Sequence, residues 1–298
     1  MIVGDWGTTR LRLFRSTAPG AEKLVGPGIG QLRASPAQTL TAMLEPWAEE
    51  ASKRGVLLCG MAGSRNGLAD VGYAECPVSF DEWSARVVPV REFAYPVRVA
   101  IGLKTSNFAD LPDVMRGEET QVFGALGLDP RLASGAHVMV LPGTHSKWVT
   151  TLNGHVAGFH TFPTGELFAL LRDHSTLVRA GADPGDVDAG FDAGVAQGLR
   201  FSLAGLFAAR AAQLVDGRTH GWGLGFLSGL LIGGELREAR TLIGDSAATL
   251  TVIGDPSLSA LYSQAGRQLG LDMTLLDGDA CVIAGLNRLA NICEVSAR

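Results

Sequence analysis

The sequence predicts an α/β protein built from two similar halves, and three observations carry that prediction. Short apolar runs bounded by Gly, Pro and Asp alternate with longer stretches in which apolar residues recur every three to four positions, the pattern of strands covered by helices. A strand, Gly-Thr turn, strand arrangement occurs twice, with Gly7-Thr8 matched by Gly143-Thr144, 136 residues further on. The chain has 298 residues, 46% hydrophobic and 18% charged, which is enough apolar material for one large domain or two ordinary ones and excludes disorder as the main state.

The elements follow in order. Ile2 to Gly4 and Leu11 to Phe14 flank Asp5-Trp6-Gly7-Thr8-Thr9 and read as a β-hairpin with a tight turn. Ser35, with Gln38 three residues on and Pro36 at the first helical position, starts a helix. Leu40, Met43, Leu44, Trp47, Ala48 and Ala51 continue it at the 3.6-residue period, with Pro46 bending it and Gly55 ending it. A strand at Val56 to Cys59, a Gly-rich turn at 60–67, a strand at Val97 to Ile101 and a helix from near Gly117, with Val122, Phe123 and Leu126 inward, complete the first half.

The second half opens with Val138 to Leu141, a turn over 142–146, and Lys147 to Leu152. Asn153-Gly154 then turns the chain into a third strand at His155 to Phe162. A helix starts at Thr164-Gly165-Glu166, with Thr164 as a plain N-cap and Leu167, Leu170 and Leu171 in the core, or with its N–H groups offered to a ligand. Phe191, Val195, Leu199, Leu203, Leu206, Phe207 and Leu214 predict one long amphipathic helix, and Gly225 to Arg240 a second. A strand at Leu250 to Ile253, a helix capped by Asp255 with Pro256 at its start, a strand at Met273 to Leu276 and a last helix from Asp279 follow.

Composition narrows the function. Thirty acidic and 25 basic residues leave a net charge of -5, which argues against nucleic acid or an anionic membrane as partner. The longest apolar run, Trp222 to Gly234, falls short of the roughly 20 residues that cross a bilayer. The chain opens directly into MIVGDWG, without the basic segment, apolar block and cleavage site of a secretory leader. Cys59, Cys76, Cys281 and Cys293 are too widely spaced for a zinc knuckle or a redox pair, and read as reduced, packed thiols of a cytoplasmic protein. Glycine is in excess, 39 residues or about 13% against a usual ~7%, so many tight turns or close backbone approaches are expected.

Successive backbone N–H groups at a Gly-Thr turn form an anion-binding concavity, and two such turns facing one another would grip a polyphosphate. Asp5 stands at a strand end beside the first turn, where one carboxylate together with phosphate oxygens can hold Mg²⁺, and Lys147 adds a positive charge beside the second. Either turn alone also reads as an ordinary hairpin; their pairing is what points to chemistry.

GDWGTTRLRLF (4–14) resembles the first phosphate loop of the actin, Hsp70 and sugar kinase superfamily. CGMAGSRNGL (59–68), DVMRGEETQVFGAL (113–126), LPGTHSKWV (141–149) and TFPTGELFALLRDHS (161–175) together resemble the 2-dehydro-3-deoxygalactonokinase family, in order and through to DGDACVIAGLNRLA (277–290). The resemblance implies two RNase H-like domains of the actin-like ATPase type around a nucleotide cleft. Residues 1–132 would carry the sugar acid and the first loop, residues 133–298 the second loop and the adenosine, with the last helix crossing back. It implies ATP and Mg²⁺ as cofactors, and transfer of the γ-phosphoryl to the 6-hydroxyl of 2-dehydro-3-deoxy-D-galactonate, a small-molecule partner. The apolar composition leaves surface to spare for a homodimer.

Residues can be set against that reaction, which needs phosphate donors, a metal and a carboxylate aimed at the attacking hydroxyl. Gly7, Thr8, Thr9, Gly143, Thr144 and Ser146 form the expected phosphate cradle, Asp5 the metal carboxylate, and Lys147 or Arg10 the positive charge near the leaving oxygens. The base is sought in DVMRGEET: Glu118 is favoured, with Glu119 and Asp113 as alternatives, although the helix dipole alone favours acids in a first turn. Arg65 and Arg116, each beside a glycine turn, are expected to grip the substrate carboxylate, with Thr164 and Glu166 at the sugar. Gly254, in VIGDPSLSALY (252–262), is expected at the adenosine. Glu235 reads as a solvated carboxylate at the end of the apolar helix or as a group reaching ribose, and His145 and His160 are assigned no catalytic role. Leu141-Pro142 stands where hydrolytic relatives carry an Asp, which favours transfer to an alcohol. The competing readings are a kinase of 2-keto-3-deoxygluconate or a hexose, and a nucleotide-switch binding protein.

Overall fold

The computed structural model describes residues 1–15, 22–91, 93–178, 183, 185–244 and 249–295. The chain divides into two compact units, residues 1–136, 150–159 and 276–298, and residues 137–149 and 160–275. The first crossing falls at 136/137 where the sequence reading placed it at 132/133, and the final helix groups with the first unit.

The first unit begins with β1 (Ile2–Trp6), β2 (Arg10–Phe14) and β3 (Lys23–Pro27), followed by α1 (Pro36–Leu44), α2 (Ala48–Arg54) and β4 (Val56–Gly60). Then come β5 (Tyr73–Glu75), α3 (Phe80–Ser84), β6 (Val88–Val90), β7 (Val97–Val99), β8 (Gly102–Ser106), β9 (Pro112–Met115) and α4 (Glu118–Leu128). The six-stranded sheet has the order β3-β2-β1-β4-β7-β6; β1 runs antiparallel to β2 and parallel to β4, with Asp5 opposite Cys59. The smaller sheet has the order β5-β8-β9. Ile2, Trp6, Leu11, Leu13, Leu40, Leu44, Val56 and Leu58 are buried together between the large sheet and α1.

Local signals explain the helix starts. The Ser35 hydroxyl accepts the Gln38 N–H and the Gln38 side chain accepts the Ser35 N–H, so both orphan donors are satisfied. Pro46 cannot continue the helical ladder, and the chain passes through a 3₁₀ turn at Glu45–Trp47 before α2 resumes and stops at Gly55, which has φ +74°.

The second sheet contains β10 (Ala136–Leu141), β11 (Ser146–Leu152), β12 (His155–Phe162), β13 (Thr249–Gly254) and β14 (Asp272–Asp277), in the order β12-β11-β10-β13-β14. Its helices are α5 (Thr164–His174), α6 (Val187–Gly198), α7 (Ser202–Gly205), α8 (Ala208–Val215), α9 (His220–Ile243) and α10 (Pro256–Arg267). The last helix, α11 (Gly278–Val295), belongs to the first unit.

Two expectations fail here. The predicted long helix from Phe191 to Leu214 is three helices, and the buried face of α6 carries Gly190, Gly194 and Gly198 beside the expected Phe191 and Val195. A Cβ added at Gly194 would lie 2.1 Å from the Phe226 carbonyl oxygen of α9, and one at Gly198 2.2 Å from that of Leu230. Beyond Gly198 the chain breaks into α7 and α8, which still touch α9 through Gly205 and Ala209, while Leu203, Phe207 and Leu214 are exposed. In α5 the N-cap is Pro163, not Thr164, and Leu167 and Leu170 are exposed; Phe168 and Leu171, three apart, face the core. The first unit has its own glycine-packed helix pair: a Cβ at Gly124 of α4 would lie 1.8 Å from the Cys281 carbonyl oxygen of α11.

Among the described residues no helix is long and apolar enough to cross a membrane. All four cysteines are free, with Cys59, Cys281 and Cys293 buried.

Candidate active site

The first Gly-Thr turn joins β1 to β2 and leans on the segment after β3. Gly7 N–H donates to the Arg10 carbonyl, while Ile29 N–H and Gly30 N–H donate to the carbonyls of Gly7 and Thr8 at 3.0 and 2.9 Å. A Cβ at Gly28 would fall 2.3 Å from the Thr8 carbonyl oxygen, so the close approach requires glycine there. The turn's carbonyls therefore point at residues 28–30, and Thr8, Thr9 and Arg10 stand exposed. Gly28 and Gly30 were not among the expected site residues; the GPGIG run at 26–30 is the signal that marks them.

Asp5 ends β1. Its carboxylate accepts from Arg12, whose guanidinium also bonds Asp279 at the start of α11. Burial works against the Arg12 charge, but Asp5 and Asp279 outweigh it and leave the guanidinium more basic than usual. Gly60, with φ +77°, fits against Asp5: a Cβ there would lie 2.7 Å from the Trp6 carbonyl oxygen and 3.1 Å from the Asp5 carboxylate. Gly117, with φ +112°, comes next, its Cβ position 3.2 Å from the Gly60 Cα. Two glycines thus bring the ends of β1 and β4 against the head of α4.

That head carries two of the three candidate bases. Glu119 is fully buried and accepts the Gly117 N–H at 2.7 Å; burial, and next the neighbouring Glu118 charge, push its carboxyl up to about 8, so it holds its proton at neutral pH. Glu118 is partly exposed and accepts the Arg116 N–H at 3.1 Å. Asp113 lies back on β9, opposite Thr105, with its carboxylate accepting the Val114 N–H at 2.8 Å. Cys59 packs beneath, its Sγ 3.7 Å from Asp5; burial, then Asp5, raise the thiol well above its usual range, which keeps it unreactive.

Arg116 donates to the Gly72 carbonyl at 3.1 Å and lies 4.3 Å above the Tyr73 ring, and its Nη1 is buried without a partner among the described residues. A Cβ at Gly63 would be 2.9 Å from that Nη1, so the guanidinium sits against the turn that carries Arg65. Arg65 itself is 91% exposed, 3.9 Å from Asp70.

The second turn, Pro142 to His145, rests on α5. Glu166 N–H donates to the Thr144 carbonyl at 2.9 Å, His145 Nε2 lies 2.8 Å from the Glu166 carboxylate, and a Cβ at Gly165 would meet the Gly143 carbonyl oxygen at 2.3 Å. Gly143 opens to space, with nothing within 4 Å of an added Cβ. Gly254 lies alongside at the end of β13, its Cβ position 3.5 Å from Pro142. A cavity of about 300 Å³, lined by Gly143, Thr164, Phe191, Leu224, Leu258 and Tyr262, opens next to them.

Several expectations are corrected here. Ser146 is fully buried and its hydroxyl donates to Glu235 at 2.7 Å, so it does not face a phosphate. Lys147 is buried on the opposite side of β11, its ammonium donating to the Thr161 hydroxyl at 2.8 Å on β12, and so is not a charge beside the turn. The alternation of a strand sends neighbours to opposite faces, and β11 begins at Ser146. Glu235 is neither solvated nor at a helix end, since α9 runs on to Ile243. Thr164 gives its hydroxyl to Glu235 and Glu166 pairs with His145; both belong to the second unit, whereas Arg65 and Arg116 belong to the first.

A Gly-Thr turn at a strand reversal in each of two α/β units defines a protein of the actin-like ATPase fold. The chain shares that fold with the activator of 2-hydroxyisocaproyl-CoA dehydratase from Clostridium difficile, at TM-score 0.53 and 9% identity over 100% of this chain and 97% of that one. The family model for 2-keto-3-deoxy-galactonokinase matches residues 5–289. The 2-dehydro-3-deoxygalactonokinase of Escherichia coli is 35% identical over 303 aligned positions, covering 97% of each chain. A crystal structure from Sinorhizobium meliloti carrying the 2-dehydro-3-deoxygalactonokinase name has TM-score 0.85 and 32% identity over 98% of both chains. The chain belongs to the 2-keto-3-deoxygalactonokinase family.

Proposed function

We propose that this chain transfers the γ-phosphoryl group of ATP to the 6-hydroxyl of 2-dehydro-3-deoxy-D-galactonate, giving the 6-phosphate. Family membership supports the reaction class, and one arrangement carries the chemistry: Gly60 lies between Asp5 and Gly117 and brings the head of α4 close to the end of the strand that leads into the Gly7–Thr9 turn.

Glu118 is the base in this reading. Glu119 retains its proton at neutral pH and is sealed from solvent, so it cannot take one from a sugar hydroxyl, while Asp113 is held on β9. Thr8, Thr9 and Arg10 in the first unit, and the backbone of Gly143 and Thr144 in the second, are each assigned to phosphate in this reading. Gly254 and the cavity beside Gly143 take the nucleoside; about 300 Å³ is at the lower end of ligand-pocket sizes. Arg116, whose Nη1 has no partner beneath the 60–67 turn among the described residues, is assigned to the substrate carboxylate, and Arg65 adds an exposed second cation.

The residues fit a divalent cation of the Mg²⁺ type. Among the described residues no three His, Cys, Asp or Glu side chains form a metal cage, so the ion would be held by Asp5 together with phosphate oxygens and water. When bound, Mg²⁺ neutralises charge on the β- and γ-phosphates. Arg12 donates to the Asp5 carboxylate and fixes its direction.

A coupled assay of ADP release tests the reading. Release should rise many-fold over the acceptor-free background with 2-dehydro-3-deoxy-D-galactonate, and less with its gluconate epimer or a neutral hexose. Equal ADP release without acceptor would defeat it, and a preference for the hexose would leave Arg116 without a carboxylate to hold.

A further inference from the structure

Beneath the second turn lies a carboxylate for which phosphoryl transfer has no use. Glu235 sits in the second half of α9 and is 4% exposed, in a stretch (229–236) otherwise made of Gly, Leu and Ile. One oxygen accepts from the Ser146 hydroxyl at 2.7 Å and the Trp148 indole N–H at 2.8 Å. The other accepts from the Tyr262 hydroxyl at 2.8 Å and from the Thr164 hydroxyl. With two donors on each oxygen the carboxylate is well satisfied, and Trp148, which can only donate, fixes its orientation.

The donors come from β11, α5 and α10, and three of them border the nucleotide-side features. Ser146 is where the turn re-enters β11. Thr164 opens α5, whose Gly165 and Glu166 press on Gly143 and bond Thr144. Tyr262 lines the cavity beside Gly143. Burial raises the Glu235 carboxyl above its usual range while the four hydrogen bonds pull it back. An apolar residue of similar volume would spare the helix the desolvation of a charge, so the contribution of this carboxylate is geometric.

We propose that Glu235 is the positioning residue of the second phosphate turn: through Ser146 and Thr164 it sets the backbone N–H groups of Gly143 and Thr144 toward the nucleotide phosphates, touching no ligand itself. The inference rests on the kinase reading above. Fixed N–H donors lose most of their hold on an anion when their direction drifts, which is why the setting of the turn matters more than its composition.

Calorimetric titration of the full chain with ATP and Mg²⁺, without sugar acid, is the test, together with steady-state kinetics. Glu235→Gln keeps the size and the oxygen facing Ser146 and Trp148, but the Thr164 and Tyr262 hydroxyls must reverse to accept from its amide, so the fold keeps its partners while the charge-assisted bond that tethers α5 is lost. The variant should melt near wild type, with Kd and KM for ATP at least tenfold higher and KM for the sugar acid within twofold. ATP affinity within twofold of wild type, or an equal rise in both KM values, overturns the proposal. Should Glu235→Gln not fold, Ser146→Ala, Thr164→Val and their double variant decide. Acting through one carboxylate, the double loses no more ATP affinity than the worse single; losses that multiply mean direct phosphate contacts and overturn the idea. Wild-type protein that binds ATP yet phosphorylates no sugar acid would count against the kinase reading alone and leave the binding test intact.

Discussion

Gly194→Ala sets two physical effects against each other. Helix propensity favours the alanine by about 1 kcal/mol, since Gly194 is in the interior of α6. The structure opposes it: the new Cβ would stand 2.1 Å from the Phe226 carbonyl oxygen and 2.8 Å from the Leu230 nitrogen, both backbone atoms that no rotamer change can remove. Ordinary contact begins near 3.4 Å, so α6 and α9 must part locally by about 1.3 Å (3.4 − 2.1). The separation also loosens the neighbouring approaches at Gly190, Gly198, Gly225 and Gly229, each of which presents its Cβ position to the partner backbone at 2.0–2.2 Å. Overpacking of this kind costs about 1–3 kcal/mol, occasionally more, so the net loss after the propensity gain is about 0–2 kcal/mol. In a chain of this size that lowers the unfolding midpoint by up to roughly 8 °C, whereas the Gly223→Ala control keeps its propensity gain. Gly223→Ala in α9 is the control, because its Cβ would meet only the end of the Gln213 side chain at 3.0 Å and the Val178 methyls at 3.4 Å. Thermal melts of both variants give the answer, and a Gly194→Ala midpoint at or above that of Gly223→Ala refutes the reasoning.

Three further outcomes follow from the first unit. Glu119 has a folded-state carboxyl near 8 against 4.5 for the free group, so its stabilising contribution is whole below about pH 4.5 and is lost as pH rises through 8. The 3.5-unit interval corresponds to at most about 5 kcal/mol. Glu119→Gln should flatten the loss of stability between pH 5 and pH 9 in urea titrations, and an unchanged slope contradicts the assignment. Glu118→Gln should bind ATP as wild type does while kcat falls by about 10² to 10⁴; a wild-type kcat moves the base to Asp113. Arg116→Lys loses the planar fork and should raise KM for the sugar acid about tenfold with KM for ATP unchanged, whereas equal sugar-acid KM values show that Arg116 serves only to pack on Tyr73.

Features whose cause is local were readable from sequence. Ser35 and Gln38 cap each other three residues apart, Asp255 accepts the N–H groups of Ser257 and Leu258, and Pro46 interrupts its helix by its own ring; none of these needs a distant partner. The two Gly-Thr turns belong to the same class. What escaped depends on remote chain. The three-stranded β5-β8-β9 sheet is made of segments too short to show a period, and its pairing is set by tertiary register. The glycine excess was legible as close backbone approach in general, but not as pairs of helices, because the partner face is another stretch of glycine 30 or more residues away. Ser146 and Lys147 were misplaced for a different reason: the period of two along β11 already separates their directions, and grouping both with the turn ignored it.

The glycine-packed pairs give the two units a common way of holding chemistry in place. In the first, α4 carries Glu118 at its head, and Gly124 and Gly285 bring its backbone onto that of α11. α11 in turn begins beside Asp279, which shares Arg12 with Asp5. The proposed base and the proposed metal carboxylate are therefore referenced to each other twice, through Gly60 and Gly117 at one end and through the α4–α11 contact and Arg12 at the other. In the second unit, α9 carries Glu235 while Gly225, Gly229 and Gly233 press it onto α6, so the carboxylate under the turn cannot shift along its helix axis without a backbone clash. Side-chain packing between helices tolerates small slides by rotamer change; backbone contact does not. Placing glycine where the helices pack thus converts a stability feature into positional precision at the groups proposed to handle phosphate.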